Sequence, residues 1–339
     1  MMLIVVSHFF SPDFEAGGEC GVSFFFMLSG FVLSYAYGDR ITGKQFSTRT
    51  LYTRQLMKFY PLHLVVFAIM AALDFKGGIV YSWLQLVLQA LLLQCWIPKA
   101  EYLFVANGSS WFLCDILFFY LVFSAIYRII YSMRPKVLIV YSMLFLVGYF
   151  LLAALLPERY SNAVMYAFPP VRLMELCIGM VICRIYRNEV SRKIRNWADV
   201  QHTWLITLIE MAILLLYVLC FGVYEQIGVN FHCASLFWAA NILLLYWFAL
   251  NDQGKGLLMR LLCHPLMGKG GTMALEIFLT HMLTIRLVHC ILYRIGWDGN
   301  KDFCIISLTL CCVLAVAWLT KTFFVDKLYV LAKRYVLNS

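Results

Sequence analysis

Long apolar runs recur along the whole chain, and they constrain its fold more than any other feature. Several windows of about 20 residues carry almost no charge, and this is the length that an α-helix needs to cross roughly 30 Å of hydrocarbon. The chain has 339 residues, of which 63% are hydrophobic and only 13% are charged, too few charges to cover the surface of a soluble domain. Aromatic residues collect at the ends of many runs, as they do in helices that meet membrane interfaces. The sequence therefore predicts an all-α fold, a polytopic transmembrane helical bundle.

Ten runs have the composition of membrane spans. They lie at 1–10, 22–37, 59–73, 110–127, 137–156, 164–183, 202–223, 231–250, 272–293 and 303–325. A shorter run at 83–97 is interrupted by Gln85, Gln89 and Gln94, which form a loosely amphipathic stripe, so we expect a re-entrant or interfacial helix there. The prediction is about ten spans plus this one helix.

The loops between the runs carry the charge that orients the chain. Its net charge is +9, and because the basic residues cluster in short loops, membrane orientation explains them better than a nucleic-acid partner does. Basic loops lie at 38–58, 128–136, 184–195, 254–269 and 327–334. Acidic or mixed loops lie at 11–20, 157–163, 224–230 and 294–302. If 83–97 does not cross, every basic loop falls in the cytoplasm, and we predict a multi-pass membrane protein with both termini cytoplasmic.

The first run is shorter than a span. Residues 1–10 would form a helix of about 15 Å, which cannot cross a bilayer, so we expect the first span to be truncated. No internal repeat or soluble appendage interrupts the rest. The interval 1–339 is therefore predicted to be a single membrane-embedded domain.

The twelve cysteines do not form a recognisable framework. Many lie inside apolar runs, where a cysteine behaves as a small buried hydrophobe. No CxxC pair is matched by a second one, so we expect neither a metal site nor a set of disulfides.

Ionisable residues inside apolar runs are costly to bury and are the first candidates for function. They are His8, Asp115, Arg172, Glu175, Glu210, Glu276, His281 and Arg286. From the pattern alone, His8 fits a hydrogen-bonded structural histidine and a general base equally well. Arg172 and Glu175 are three residues apart, and a mutual ion pair that neutralises both is the simpler interpretation.

The other candidates have equally plain structural interpretations. Asp115 follows Trp111 by one turn near a span start, where free N–H groups stabilise a carboxylate. Glu276 and His281 are five residues apart, about 140° around a helix, so they cannot both face one site.

A cationic stretch precedes the span at 59–73. Arg54 and Lys58 are four residues apart and share a helix face, with Gln55 on a neighbouring edge. They fit a positive-inside anchor that reaches lipid headgroups, and they also fit a cradle for the phosphates of an anionic ligand.

Several phrases taken together resemble the acyltransferase-3 family, integral-membrane enzymes that O-acylate sugars of cell envelopes. The phrases occur in family order from His8 to Asp326 and are "GGECGVSFFFMLSGFVLSY", "YTRQLMKFYPLHL", "NGSSWFL", "FPPVRLMELCIGMVICRIY" and "MGKGGTMALEIFLTHM". The elements "GVSFFFMLSGF" and "FYPLH" at this spacing carry most of the resemblance.

The resemblance implies an acyltransferase of the bacterial inner membrane with no bound cofactor. His8 would be its catalytic residue, acting as general base on an acceptor hydroxyl or carrying the acyl group transiently. The donor would be an acyl-CoA, with acetyl-CoA the expected case, and the acceptor an envelope polysaccharide or glycolipid. The paired arginines of the family fall here on Gln55 and Lys58, so donor binding is expected at Arg54, Gln55 and Lys58.

Two function hypotheses follow. The first is membrane O-acylation, with candidate substrate-lining residues Trp111, Asp115, Arg172, Glu175 and His281. The second is a proton-coupled transporter of a small solute or glycan precursor, in which His8, His281 and Glu175 form a path.

Overall fold

A computed structural model of the protein describes residues 2–10, 15–233, 235–251, 254–296, 303–328 and 330. Over these ranges the chain is helical or irregular and contains no strand. The α-helices are α1 (Met2–Phe10), α2 (Glu15–Thr42), α3 (Thr48–Lys76), α4 (Trp83–Ala90), α5 (Ala100–Leu103), α6 (Trp111–Ser132), α7 (Pro135–Leu155), α8 (Pro169–Tyr186), α9 (Glu189–Val200), α10 (Thr203–Val223), α11 (Val229–His232), α12 (Trp238–Leu250), α13 (Leu257–Leu262), α14 (Pro265–Thr272), α15 (Ala274–Arg294) and α16 (Phe303–Thr320). Short 3₁₀ helices lie at Gln94–Trp96, Gly108–Ser110, Glu158–Tyr160 and Tyr224–Gln226, and π-helical turns at Asn162–Tyr166 and Lys321–Val325.

Seven helical segments in the described residues are long and apolar enough to cross a membrane. They are Glu15–Thr42, Thr48–Lys76, Gly108–Ser132, Pro135–Leu155, Thr203–Gln226, Ala274–Arg294 and Cys304–Leu328. Large apolar side chains cover their outer faces, and Phe145 and Leu155 of α7 are 65% and 74% exposed. A lipid environment satisfies such surfaces, so the all-α polytopic fold is confirmed.

The predicted count of about ten spans is too high, and three runs account for the difference. The helix in the first run, α1, has nine residues, and α12 in the run 231–250 has thirteen. The run 164–183 falls on a pair of helical segments, Glu158–Tyr166 and Pro169–Tyr186, bent by 49°. Hydropathy measures the length of an apolar run and does not detect a bend or a break. A run that contains a short or broken helix is therefore predicted as a full span. The run at 83–97 gives the eight-residue α4, which is too short to cross.

Contacts divide the chain into two compact units. Unit 1 comprises Met1–Gly18, Ser47–Leu117 and Gly270–Ser339. Unit 2 comprises Glu19–Phe46 and Phe118–Lys269.

A close helix crossing lies inside unit 2. A β-carbon placed on Gly179 of α8 would come within 1.8 Å of the Met27 carbonyl oxygen of α2. In the same way, a β-carbon on Gly30 of α2 would lie 2.0 Å from the Leu176 carbonyl oxygen. Only hydrogen fits at both places, as at the small-residue contacts that hold membrane helices together. The "MLSGF" phrase therefore serves packing at Gly30.

Glu210, one of the buried carboxylates of unit 2, has a structural role. Its two oxygens accept hydrogen bonds from the backbone N–H groups of Leu258 at 2.9 Å and Met259 at 3.2 Å. These groups belong to the first turn of α13 and have no partner within that helix. Glu210 therefore caps α13.

Candidate active site

Helix α1 packs against two long helices of unit 1. Val5 is fully buried and belongs to one apolar cluster with Ile277 and Ile285 of α15 and Val313 and Ala317 of α16. One turn after Val5 comes His8, and one turn after Ile277 comes His281. The cluster thus aligns the faces that carry the two histidines.

His8 and His281 lie side by side. Their ring centroids are 5.1 Å apart with an angle of 33° between the ring planes. His8 is exposed, whereas His281 is fully buried. The sequence singled out both residues and joined them only in the transporter hypothesis, as members of one path.

The ring of His281 is held in one tautomer by its own helix. Nδ1 lies 2.7 Å from the carbonyl oxygen of Phe278 and 3.2 Å from that of Ile277. Because a carbonyl oxygen only accepts hydrogen bonds, Nδ1 carries the proton and donates it. Nε2 therefore has a lone pair, and it has no hydrogen-bond partner among the described residues.

The loop that contains "NGSSW" ties into α15 next to His281. The side-chain nitrogen of Asn107 donates to the Leu279 carbonyl oxygen at 3.4 Å. The Ser109 hydroxyl lies 3.5 Å from the Phe278 carbonyl oxygen, which also accepts from His281, and 3.0 Å from Asn107 Oδ1. This loop thus fixes the backbone group that orients the histidine.

A second polar contact holds the same loop from its other end. Arg286 of α15 forms an ion pair with the buried Asp74 of α3, and the Tyr81 hydroxyl donates to Asp74 at 2.8 Å. The backbone N–H of Ala106, a residue with φ of 50°, donates to the Tyr81 oxygen at 3.2 Å. Arg286, an intramembrane candidate in the sequence, therefore joins α3 to α15.

The expected donor-binding residues lie near the start of α3 in the same unit. Arg54 and Lys58 are exposed and Gln55 is half-buried, on a helix that continues through Pro61. The charge of Lys58 acts on Glu276, a buried residue in the first turn of α15. His281 follows Glu276 by five residues, about 7.5 Å along the helix axis. Lys58 therefore lies toward the end of α15 that precedes the histidine.

Trp111 and Asp115 lie in the interior of unit 1, with 4% and 0% of their surface exposed. The Asp115 carboxylate and the thiols of Cys95 and Cys114 offer ligand-type atoms within 4.8 Å of one another. The sequence spacing of these residues gave no sign of this cluster, because Cys95 lies in a different helical segment. The absence of a metal stays a prediction.

Arg172 and Glu175 lie in unit 2 and pair with each other. Arg172 Nη2 is 3.1 Å from Glu175 Oε2, and both side chains are essentially unexposed. Trp238 Nε1 donates to Glu175 Oε1 at 2.9 Å, and the Arg172 guanidinium carbon lies 4.9 Å from the centre of the Phe26 ring. The ion pair expected from their spacing is therefore present, within a buried polar network.

Comparison with known proteins finds a family model and a curated relative. A family model described as an acyltransferase domain matches residues 1–322. Acyltransferase MdmB of Streptomyces mycarofaciens is 34% identical over 194 residues, which cover 52% of this chain and 48% of that protein. The chain thus spans about half the length of this curated relative, and no solved structure matches.

Proposed function

Because the chain belongs to the acyltransferase-3 family and has the helices of a multi-pass membrane protein, we propose that it is an acyltransferase that moves an acetyl group from acetyl-CoA to a sugar hydroxyl. The acceptor is an envelope polysaccharide or glycolipid, and the protein works in the bacterial inner membrane. The pair formed by His8 and His281 is the observation that carries the proposal. Acyl transfer to a hydroxyl needs a base that takes the hydroxyl proton, and the neutral imidazole of a histidine can accept it.

His8 takes the proton of the acceptor hydroxyl in this reaction. The hydroxyl oxygen then attacks the thioester carbonyl carbon, and a new C–O bond forms. The C–S bond breaks as the tetrahedral intermediate collapses, and the thiolate of CoA receives the proton from His8. Protons and electrons balance without an added reactant.

The start of α3 supplies the donor site. Arg54 and Lys58 are exposed, as ligand-binding cations must be, and their charges suit the phosphates of CoA. Gln55 contributes no charge. The charge of Lys58 acts on Glu276 at the start of α15, the helix that carries His281, and this supports a donor site on that side of unit 1.

The test is transfer of radiolabelled acetyl groups from acetyl-CoA to envelope material in membranes that contain the protein. We expect His8→Ala to lower the rate about 10²- to 10⁴-fold, the usual contribution of a general base. His202→Ala, at an exposed histidine before α10, is the matched control and should keep the wild-type rate. Wild-type transfer by the His8 variant, or no transfer by the wild type, would contradict the proposal.

The transporter hypothesis has less support. It required one path through His8, His281 and Glu175, but Glu175 is engaged by Arg172 and Trp238 inside unit 2. The family match and the named relative both favour an enzyme.

A further inference from the structure

We propose that His281 is the positioning residue of the reaction: it orients His8 and receives a proton from its ring. The inference rests on the proposed function and extends it to a second histidine.

The first argument is the unpaired nitrogen of His281. Its side chain is completely buried, and Nε2 has no hydrogen-bond partner among the described residues. A buried polar atom without a partner costs about 1–3 kcal/mol, so such atoms are rare unless they have a use. Nδ1 is already engaged with the Phe278 carbonyl oxygen, so Nε2 is the nitrogen left for chemistry.

The second argument is distance. Two imidazole rings joined in line by one N–H···N hydrogen bond of about 2.9 Å have centroids roughly 5 Å apart. The centroids of His8 and His281 are 5.1 Å apart. Because His8 is exposed, a rotation of its ring can direct a nitrogen at His281 Nε2. Hydrogen bonds of this kind are often long before substrate binds and shorten in the complex.

The proton path follows from the fixed tautomer. One ring nitrogen of His8 accepts the acceptor's hydroxyl proton, and the proton on its other nitrogen passes to His281 Nε2. His8 stays neutral. His281 becomes an imidazolium, and its Nδ1–H still donates to the Phe278 carbonyl oxygen. When the C–S bond of the thioester breaks, the proton returns through His8 to the CoA thiolate.

The backbone around His281 is arranged to support that charge. The carbonyl oxygens of Phe278 and Ile277, at 2.7 and 3.2 Å from Nδ1, stabilise an imidazolium better than a neutral ring. Ser109 and Asn107 contact the carbonyl groups of Phe278 and Leu279 and hold this part of α15 in place. These contacts offset part of the cost of placing a transient positive charge on a buried ring, and they do so without ordering new groups.

The kinetic test uses His281→Asn, whose amide can still donate to the Phe278 carbonyl oxygen but cannot take a proton. We expect kcat for acetyl transfer to fall about 10²-fold with an unchanged KM for acetyl-CoA, and the acidic limb of the pH–rate profile to change shape. Adding His8→Ala to this variant should cost no more than His8→Ala alone, because the two residues act as a unit. His289→Asn, two turns further along α15, is the control and should behave as wild type.

Two kinetic outcomes would overturn the inference. One is a His281→Asn enzyme with wild-type kcat. The other is a variant whose kcat falls with an unchanged pH profile and whose effect adds to that of His8→Ala, which is the behaviour of a structural residue.

A measurement without substrate separates this inference from the proposed function. In protein labelled with ¹⁵N-histidine, the Nε2 resonance of His281 should shift with His8→Ala and not with His202→Ala. If the wild type transfers no acetyl groups, the proposed function fails, and this shift still tests whether the two rings are in contact. No response of the His281 resonance to the loss of His8 would refute the pairing.

Discussion

At the scale of residues, two contacts join ionisable groups from the apolar runs: His8 with His281, and Arg172 with Glu175. His8 and His281 stood out because an ionisable group inside an apolar run is expensive. Their pairing could not be predicted, because about 270 residues separate them and periodicity describes only neighbours along one helix. The pairing of Arg172 with Glu175 could be predicted, since a spacing of three on one helix fixes that contact.

The donor site gives a prediction at this scale. Replacing Lys58 with Ala should weaken acetyl-CoA binding about 10- to 100-fold, because a charge-assisted contact is worth about 1.5–3 kcal/mol. Gln55→Arg adds a cation on the neighbouring edge of α3 and should tighten binding. Titration calorimetry of acetyl-CoA into the detergent-solubilised protein measures both.

Arg49→Ala is the matched control for these variants, because Arg49 is an exposed cation on the first turn of the same helix. Its dissociation constant should stay near that of the wild type. Equal dissociation constants across all four proteins would mean that the cations of α3 only orient the chain in the membrane.

At the scale of helices, long straight spans followed from hydropathy and interrupted ones did not. The run at 137–156 became α7, Pro135–Leu155, almost as expected. The run at 164–183 begins inside the π-helical turn Asn162–Tyr166 and continues into α8, which begins at Pro169. Proline is common at the first position of a helix, so Pro169 indicates the start of a new helix. The run was nevertheless predicted as one span, because it is apolar on both sides of the proline.

The close crossing of α2 and α8 predicts that an alanine at Gly179 destabilises the protein, whereas an alanine at Gly148 does not. Gly179→Ala forces a β-carbon against the Met27 backbone and should cost about 1–3 kcal/mol of stability. Gly148→Ala, inside α7, meets nothing within 4 Å and should be neutral or slightly stabilising, since alanine favours a helix. Thermal unfolding in one detergent compares the two, and an equal midpoint for both variants would contradict the close packing.

The whole molecule is built from units that are discontinuous in sequence, an arrangement that hydropathy does not reveal. Unit 2 takes Glu19–Phe46 and then Phe118–Lys269, and the intervening residues belong to unit 1. The prediction of a single membrane-embedded domain over 1–339 rested on the lack of an internal repeat or soluble appendage, and it stays a prediction.

The bent pair of helical segments decides the topology of unit 2. If Glu158–Tyr166 and Pro169–Tyr186 form one broken span, residues 158 and 192 lie on opposite sides of the membrane. Glu158→Cys and Arg192→Cys should then react with a membrane-impermeant maleimide from opposite sides, above the wild-type background from exposed thiols such as Cys263. Labelling from the same side would identify the pair as a re-entrant loop and overturn the charge-based topology.

The packing of α1 against α15 has a consequence for how the protein is made. Val5 and Ile277 share one apolar cluster but are about 270 residues apart, which at roughly 5–20 residues per second means a wait on the order of 15 to 50 s during translation. Until α15 and α16 are made, α1 lacks the apolar partners of this cluster. The histidine pair is therefore a late product of synthesis, although His8 leaves the ribosome before every other residue of the site.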